Sequence, residues 1–199
     1  MIPPFEHATL PAAGTPSRMI GPITVALRHV NERIRAAIES LDPTRLTAPR
    51  PDGGWSALGI LEHMALSLDG YLPPLRAFTP SVLRESQAEV EWTPTFWGGL
   101  IARSLTMRFP MPAPKDINPG PASRPDVHNV LTAQHAEIVS LMDRLKYDDW
   151  RGFRFTSPFA FFVRPNFGDA CVITLRHGER HTAQLERLVR QLSGAGSQW

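Results

Sequence analysis

Three histidines, His63, His177 and His181, have the residue type and the placement from which a metal site is built. His177 and His181 stand four residues apart. On a helix that spacing separates them by about 40° around the axis and about 6 Å along it, so both imidazoles can reach one ion. Neighbouring positions set their direction. Ile173, Leu185, Leu188 and Leu192 recur at helical spacing with the pair, so both histidines face the interior. His63 likewise takes an apolar position, on a stripe with Ile60, Met64, Ser67, Tyr71, Leu75 and Phe78. Three inward imidazoles from two helices form a facial set with coordination positions left for water or substrate. The spacing alone also fits core or surface histidines bonded to carbonyls or carboxylates.

Four amphipathic segments are needed to position these side chains. The first runs from about Pro22 to Leu41 and stops at Asp42-Pro43. The second opens at Trp55-Ser56, with Ser56 as N-cap, and reaches about Phe78, with Pro73-Pro74 expected to kink or interrupt it. The third follows Pro125-Asp126 and buries Val127, Leu131, Ile138, Leu141, Met142 and Leu145. The fourth begins near Asp169, read as its N-cap, and ends at Gly194. Each helix needs a partner for its apolar face, so the fold class is all-α, a four-helix bundle. Nearly fifty residues separate the second helix from the third. This long connection, residues 80–125, includes Phe96 to Ile101, expected as a short helix folded over the bundle. Residues 1–21 read as an extended N-terminal arm and 22–193 as the bundle domain. Trp150 to Phe167 is rich in phenylalanine, expected to line one end of the bundle.

Composition narrows the function classes. The chain has 199 residues, a formal charge of +2, and 42% hydrophobic residues, the profile of one ordinary globular domain. No run of like charges marks a nucleic-acid or membrane partner. Cys171 is the only cysteine, which excludes an internal disulfide and a cysteine-rich zinc module. No segment has the apolar length of a membrane span and the start lacks the pattern of a signal peptide, so a cytoplasmic protein is expected.

Trp55-Ser56 followed by Leu61-Glu62-His63-Met64, then His177-Gly178-Glu179-Arg180-His181-Thr182-Ala183-Gln184, resembles the DinB-like superfamily. The stretch from Ser157-Pro158-Phe159 to Gly168-Asp169 also resembles the approach to that family's last helix. The likeness covers about residues 22 to 193. It implies a four-helix bundle, frequent homodimers, and a metal site of one histidine from the second helix and two from the fourth, here His63, His177 and His181. Some members are thiol-dependent transferases or isomerases and others are described as metal-dependent hydrolases. Three imidazoles without a thiolate suit zinc, nickel, copper or iron, with zinc or nickel the first candidates.

The remaining polar residues divide into neighbours and bystanders. Glu62, Asp69, Glu179 and Gln184 lie close enough in sequence to orient an imidazole, although Glu62 and Glu179 fall off the stripes and read as exposed. His135 sits at the boundary of the third helix's apolar face, while His7, His29 and His128 read as solvated. Arg176, Arg180, Arg187 and Arg190 read as a solvated face. Arg154 and Arg164 flank the aromatic loop and are candidates to anchor a carboxylate. Cys171 reads as a small core residue. No carboxylate announces itself as a general base, so no catalytic residue is assigned. Two functions stay open: a metal-dependent thiol S-transferase or hydrolase taking a small molecule or low-molecular-weight thiol, or a non-catalytic ligand-binding or stress-response protein with a structural or vestigial metal. For metal-loaded protein, affinity is expected to fall below about pH 6.5 as the histidines protonate.

Overall fold

In a computed structural model of the chain, described over residues 6–48, 50, 53–80, 90–107, 114–120 and 123–193, six α-helices occur in the order α1 Pro16–Glu39, α2 Pro43–Leu46, α3 Ala57–Arg76, α4 Phe96–Thr106, α5 Val127–Arg144 and α6 Phe167–Leu192, with a 3₁₀ turn at Lys115–Ile117 between α4 and α5. The four long helices α1, α3, α5 and α6 form the bundle. α6 packs against α1 and α3, and α5 packs against the same two, which closes a ring around one core. His63 of α3 meets His177 of α6, while Asp169 near the start of α6 acts on Tyr71, two turns beyond His63. α3 and α6 are therefore antiparallel. Leu27, Val30, Ile34, Ile60, Leu61, Leu131 and Leu185 are among the buried side chains that fill the interior. Among the described residues, no helix is long and apolar enough to cross a membrane.

Helix ends follow cap chemistry, and two differ from the sequence reading. Ser56 is the N-cap of α3 as expected, its Oγ accepting from the Gly59 amide at 3.0 Å. α6 begins earlier than expected. Asn166 is its N-cap, and Asp169 is the third helical residue, returning a hydrogen bond to the Asn166 amide at 3.0 Å in a capping box. α1 begins at Pro16, with Pro22 inside it. A proline there removes one donor, and both Arg18 and Pro22 lie on the exposed side, where water can serve the freed carbonyl. Likewise α3 runs through Pro73 and Pro74 to Arg76. Gly194, expected to end the last helix, lies outside the described residues.

The long connection holds to the bundle through α4 and the 3₁₀ turn. Thr95 caps α4, accepting from the Gly98 amide at 3.0 Å, and its own Oγ1 donates to Asp169 of α6 at 2.6 Å. Trp92 pairs with Gly14 of the N-terminal arm through two backbone hydrogen bonds, and its indole donates to Asn166 at 2.9 Å. The aromatic loop only partly meets its expectation. Phe155 and Phe167 are buried, whereas Phe161 and Phe162 are 85% and 60% exposed.

Candidate metal centre

α3 and α6 bring the three predicted histidines together. The Nε2 atoms of His63 and His177 lie 3.1 Å apart, and one ligand atom from each of His63, His177 and His181 falls within a 4.8 Å cluster. His63 and His181 are buried and His177 is partly so. Trp55 lies over His63, with ring centroids 4.5 Å apart, and closes that side of the cluster.

The donor set fits a divalent ion on two observations. First, the outer nitrogens are committed. His63 Nδ1 donates to the Ile117 carbonyl and His181 Nδ1 donates to Gln184 Oε1, each at 2.8 Å. That leaves Nε2 of both rings as lone-pair donors, the tautomer a metal requires. Second, nitrogens held about 2.0–2.1 Å from one ion are separated by roughly 2.8 to 3.4 Å for right-angled to tetrahedral arrangements, and the observed 3.1 Å falls in that range.

Electrostatics keep these rings neutral. Burial lowers His63 despite its bond to Ile117. Burial, then the positive charge that His181 and His63 would carry, pushes His177 well below its usual value. Burial also takes His181 down to about 3. Neutral imidazoles are the metal-ready form, and protons compete for them at lower pH than an unperturbed histidine would suggest. The expected fall in affinity below about 6.5 is displaced downward accordingly.

Several surrounding residues stand differently from their sequence reading. Glu62 and Glu179 are buried, not exposed. Glu62 receives the Arg124 side chain at 2.9 Å and the Arg124 amide at 3.0 Å. Glu179 is the anchor of the N-terminal arm: His7 and the Ala8 amide donate to it at 2.9 and 2.7 Å, and Arg176 at 2.7 Å. His7 and Arg176 are thus engaged in the arm's contact, not simply solvated. Asp69 accepts from Gln134 at 2.7 Å, so of the four neighbours only Gln184 bonds directly to a triad imidazole. Arg154 and Arg164 are exposed and lie off the cavity around the triad. Arg50, Arg180, Arg187 and Arg190 line that cavity instead. Arg180, Arg187 and Arg190 were hidden in the sequence because they share α6 with ordinary surface charge, and Arg50 because it lies in the connection before α3, where no helical period gives direction. Cys171 is fully buried, and its thiol is pushed far up by burial. His135 is buried as well, bonded through Nδ1 to Asn31 at 2.7 Å.

The triad opens on a cavity of about 1250 Å³ that also reaches Tyr71, Phe159, Thr174 and Gln191. A space of this size takes a small molecule beside the imidazoles.

Comparison with known proteins gives two matches of different kinds. The family model described as the DinB superfamily matches residues 26–185. Among solved structures, YfiT from Bacillus subtilis, described as "a probable metal-dependent hydrolase with an unusual four-helix bundle topology", superposes with a TM-score of 0.57 at 18% identity over 88% of each chain. At that identity the likeness is one of fold. No curated protein matches the chain.

Proposed function

The chain belongs to the DinB superfamily, and on that premise we propose that it holds a divalent cation on His63, His177 and His181 and uses it on a small molecule in the adjoining cavity, as a metal-dependent hydrolase or thiol S-transferase. The observation that carries this reading is the convergence of Nε2 atoms from two helices, with the opposite nitrogens of His63 and His181 already tied to oxygen acceptors. A divalent ion there supplies Lewis acidity, lowering the pKa of a water or thiol that it binds. The protein's own residues contribute the rest. Ile117 and Gln184 fix two ring orientations, Trp55 covers the cluster, and the cavity admits the reactant. The hydrolytic description of YfiT favours water as the activated species. Zinc or nickel is the proposed ion, and a homodimer in the cytoplasm is part of the same reading.

The test is metal analysis of protein purified without an affinity tag, paired with thermal melts. About one equivalent of metal in the wild type, and its loss in His181→Ala, is the expected result. A low-molecular-weight thiol that raises the melting temperature of the wild type but not of His181→Ala selects the transferase. A wild type that takes up neither zinc nor nickel overturns the metal reading.

A further inference from the structure

The cavity beside the triad is unevenly charged. Among the described residues that line it, four are arginines, Arg50, Arg180, Arg187 and Arg190, and the single carboxylate is Glu186. Glu186 is fully buried and already paired with Arg33 of α1 at 2.5 Å. A divalent ion on three neutral imidazoles would add its double charge, and among the described residues no carboxylate joins the ligand cluster. Positive charge gathered in a partly enclosed space raises the local concentration of anions. We propose that the substrate is an organic anion: its reacting group meets the ion, and a carboxylate on it is held by Arg180 and Arg187 beside His181.

Helix geometry brings these two arginines to the triad. Arg180, Gln184, Arg187 and Gln191 follow one another along α6 at spacings of four, three and four residues, and all line the cavity. At about 100° per residue they form a stripe roughly 60° wide, and His177 and His181 occupy the stripe beside it. Arg180 directly precedes His181 in the chain. Helical side chains lean toward the N-terminus, so Arg187 leans back along α6 toward the same ring. The positive charge of both arginines acts on His181, and that of Arg180 acts on His177 as well. Both guanidiniums are therefore within electrostatic reach of one point, the His181 imidazole.

Their surroundings suit a carboxylate. Arg180 Nη1 donates to the Leu105 and Met107 carbonyls at the end of α4. A carbonyl has no formal charge, so these bonds brace the guanidinium without neutralising it. Gln184 stands between the two arginines, and its Oε1 accepts from His181 Nδ1, which leaves the amide NH2 to donate. A planar carboxylate has lone pairs for a guanidinium fork and an amide together. Arg50 reaches the same cavity from the connection before α3, and Arg190 from three residues beyond Arg187, so both add to the field.

The ion's part in this proposal rests on the metal reading above, but the arginines' part does not. Succinate monohydroxamate and its primary amide separate the two. Both offer the same hydroxamate to a metal, and only the first is negatively charged at its other end. Titrated by calorimetry against the zinc-loaded protein at low salt, the carboxylate should bind about tenfold more tightly than the amide, the worth of one hydrogen bond to a charged group. Arg187 is exposed, so its replacement does not empty the core. Arg187→Gln should bring the two compounds to near parity by weakening the carboxylate alone, and Arg187→Lys should keep part of the preference. In protein stripped by a chelator, followed by ligand-observed saturation-transfer NMR, both should bind weakly and the preference should persist. A wild type that takes up no metal yet keeps this preference would end the metal reading and leave the anion site standing. Tight and equal binding of both compounds to the zinc protein would do the reverse. The proposal is overturned by that equality, or by Arg187→Gln weakening both compounds alike or neither. It is also overturned if the preference vanishes with the metal, which would assign it to the ion's own charge.

Discussion

Gln184 Oε1 accepts the Nδ1 proton of His181 at 2.8 Å from the next turn of the same helix. The bond sets the tautomer and the ring orientation of an imidazole whose Nε2 faces the cluster. Gln184→Leu retains volume and helix propensity but removes the acceptor. It should weaken metal binding by about 10- to 100-fold, as loss of such outer contacts does elsewhere. Competition against a chromogenic chelator measures this directly. Unchanged affinity, with the circular dichroism spectrum intact, would show that Gln184 does not orient the ligand.

Asp169 joins two helices at once. It completes the capping box of α6 and accepts from the Thr95 hydroxyl and amide at 2.6 and 3.1 Å, holding the start of α4. Gly98 permits this approach, since a β-carbon there would lie 2.1 Å from the Asp169 carboxyl carbon. Gly98→Ala must push α4 away, while Asp169→Ala strands the Thr95 and Asn166 donors. Each should cost about 2 to 4 kcal/mol, through a lost cap and unsatisfied buried groups. Urea unfolding reports the loss. Limited proteolysis should cut first near residues 95–107 in both variants. Wild-type resistance in that segment would contradict the linkage.

The histidine triad and the bundle were legible because both depend on helical period. His177 and His181 share a face at four-residue spacing, and His63 interrupts an otherwise apolar stripe. Glu62 and Glu179 were misread for the converse reason. The period places them off the bundle's inner stripes, but it is silent on what covers a helix's outer face. Here Arg124 covers Glu62, and His7 with Ala8 covers Glu179. Contacts made by a connection or an arm are long-range and carry no local signature. Helix starts were misjudged where two caps compete: Asp169 is a good N-cap type, yet Asn166 three residues earlier forms a reciprocal box with it. Pro22 looked like a first-turn proline and sits well inside α1, where solvent tolerates the missing bond.

Buried neutral histidine gives the protein an acid-sensitive fold. Burial holds His135 down to about 4, against the ordinary 6.5 of a solvated imidazole in the unfolded chain. The unfolded state binds the proton first as pH falls, so stability is complete above about 6.5 and declines between 6.5 and 4. For His135 alone the loss across that window is about 3 kcal/mol, at 1.36 kcal/mol per unit. His135→Phe should be less stable at pH 7, since Asn31 loses its partner, yet show a shallower decline on acidification. Urea midpoints of both proteins from pH 7 to 4 test this. Parallel profiles would mean that His135 does not contribute to acid sensitivity.

Arg33 of α1 and Glu186 of α6 pair in the interior, and the second oxygen of Glu186 has no hydrogen-bond partner among the described residues. Glu186 is fully buried, and only 11% of the Arg33 side chain is exposed. Desolvation opposes such a pair nearly as strongly as attraction favours it, but a single survivor is left uncompensated. Arg33→Met should therefore destabilise by about 3 to 5 kcal/mol. Combining it with Glu186→Leu should recover most of that loss, because two apolar side chains of similar volume replace a poorly satisfied ion pair. A double-mutant cycle by chemical unfolding isolates the coupling. If the double variant is destabilised by the sum of the two single changes, the residues act independently and the α1–α6 contact owes its stability to the surrounding Val30, Ile34, Leu185 and Val189.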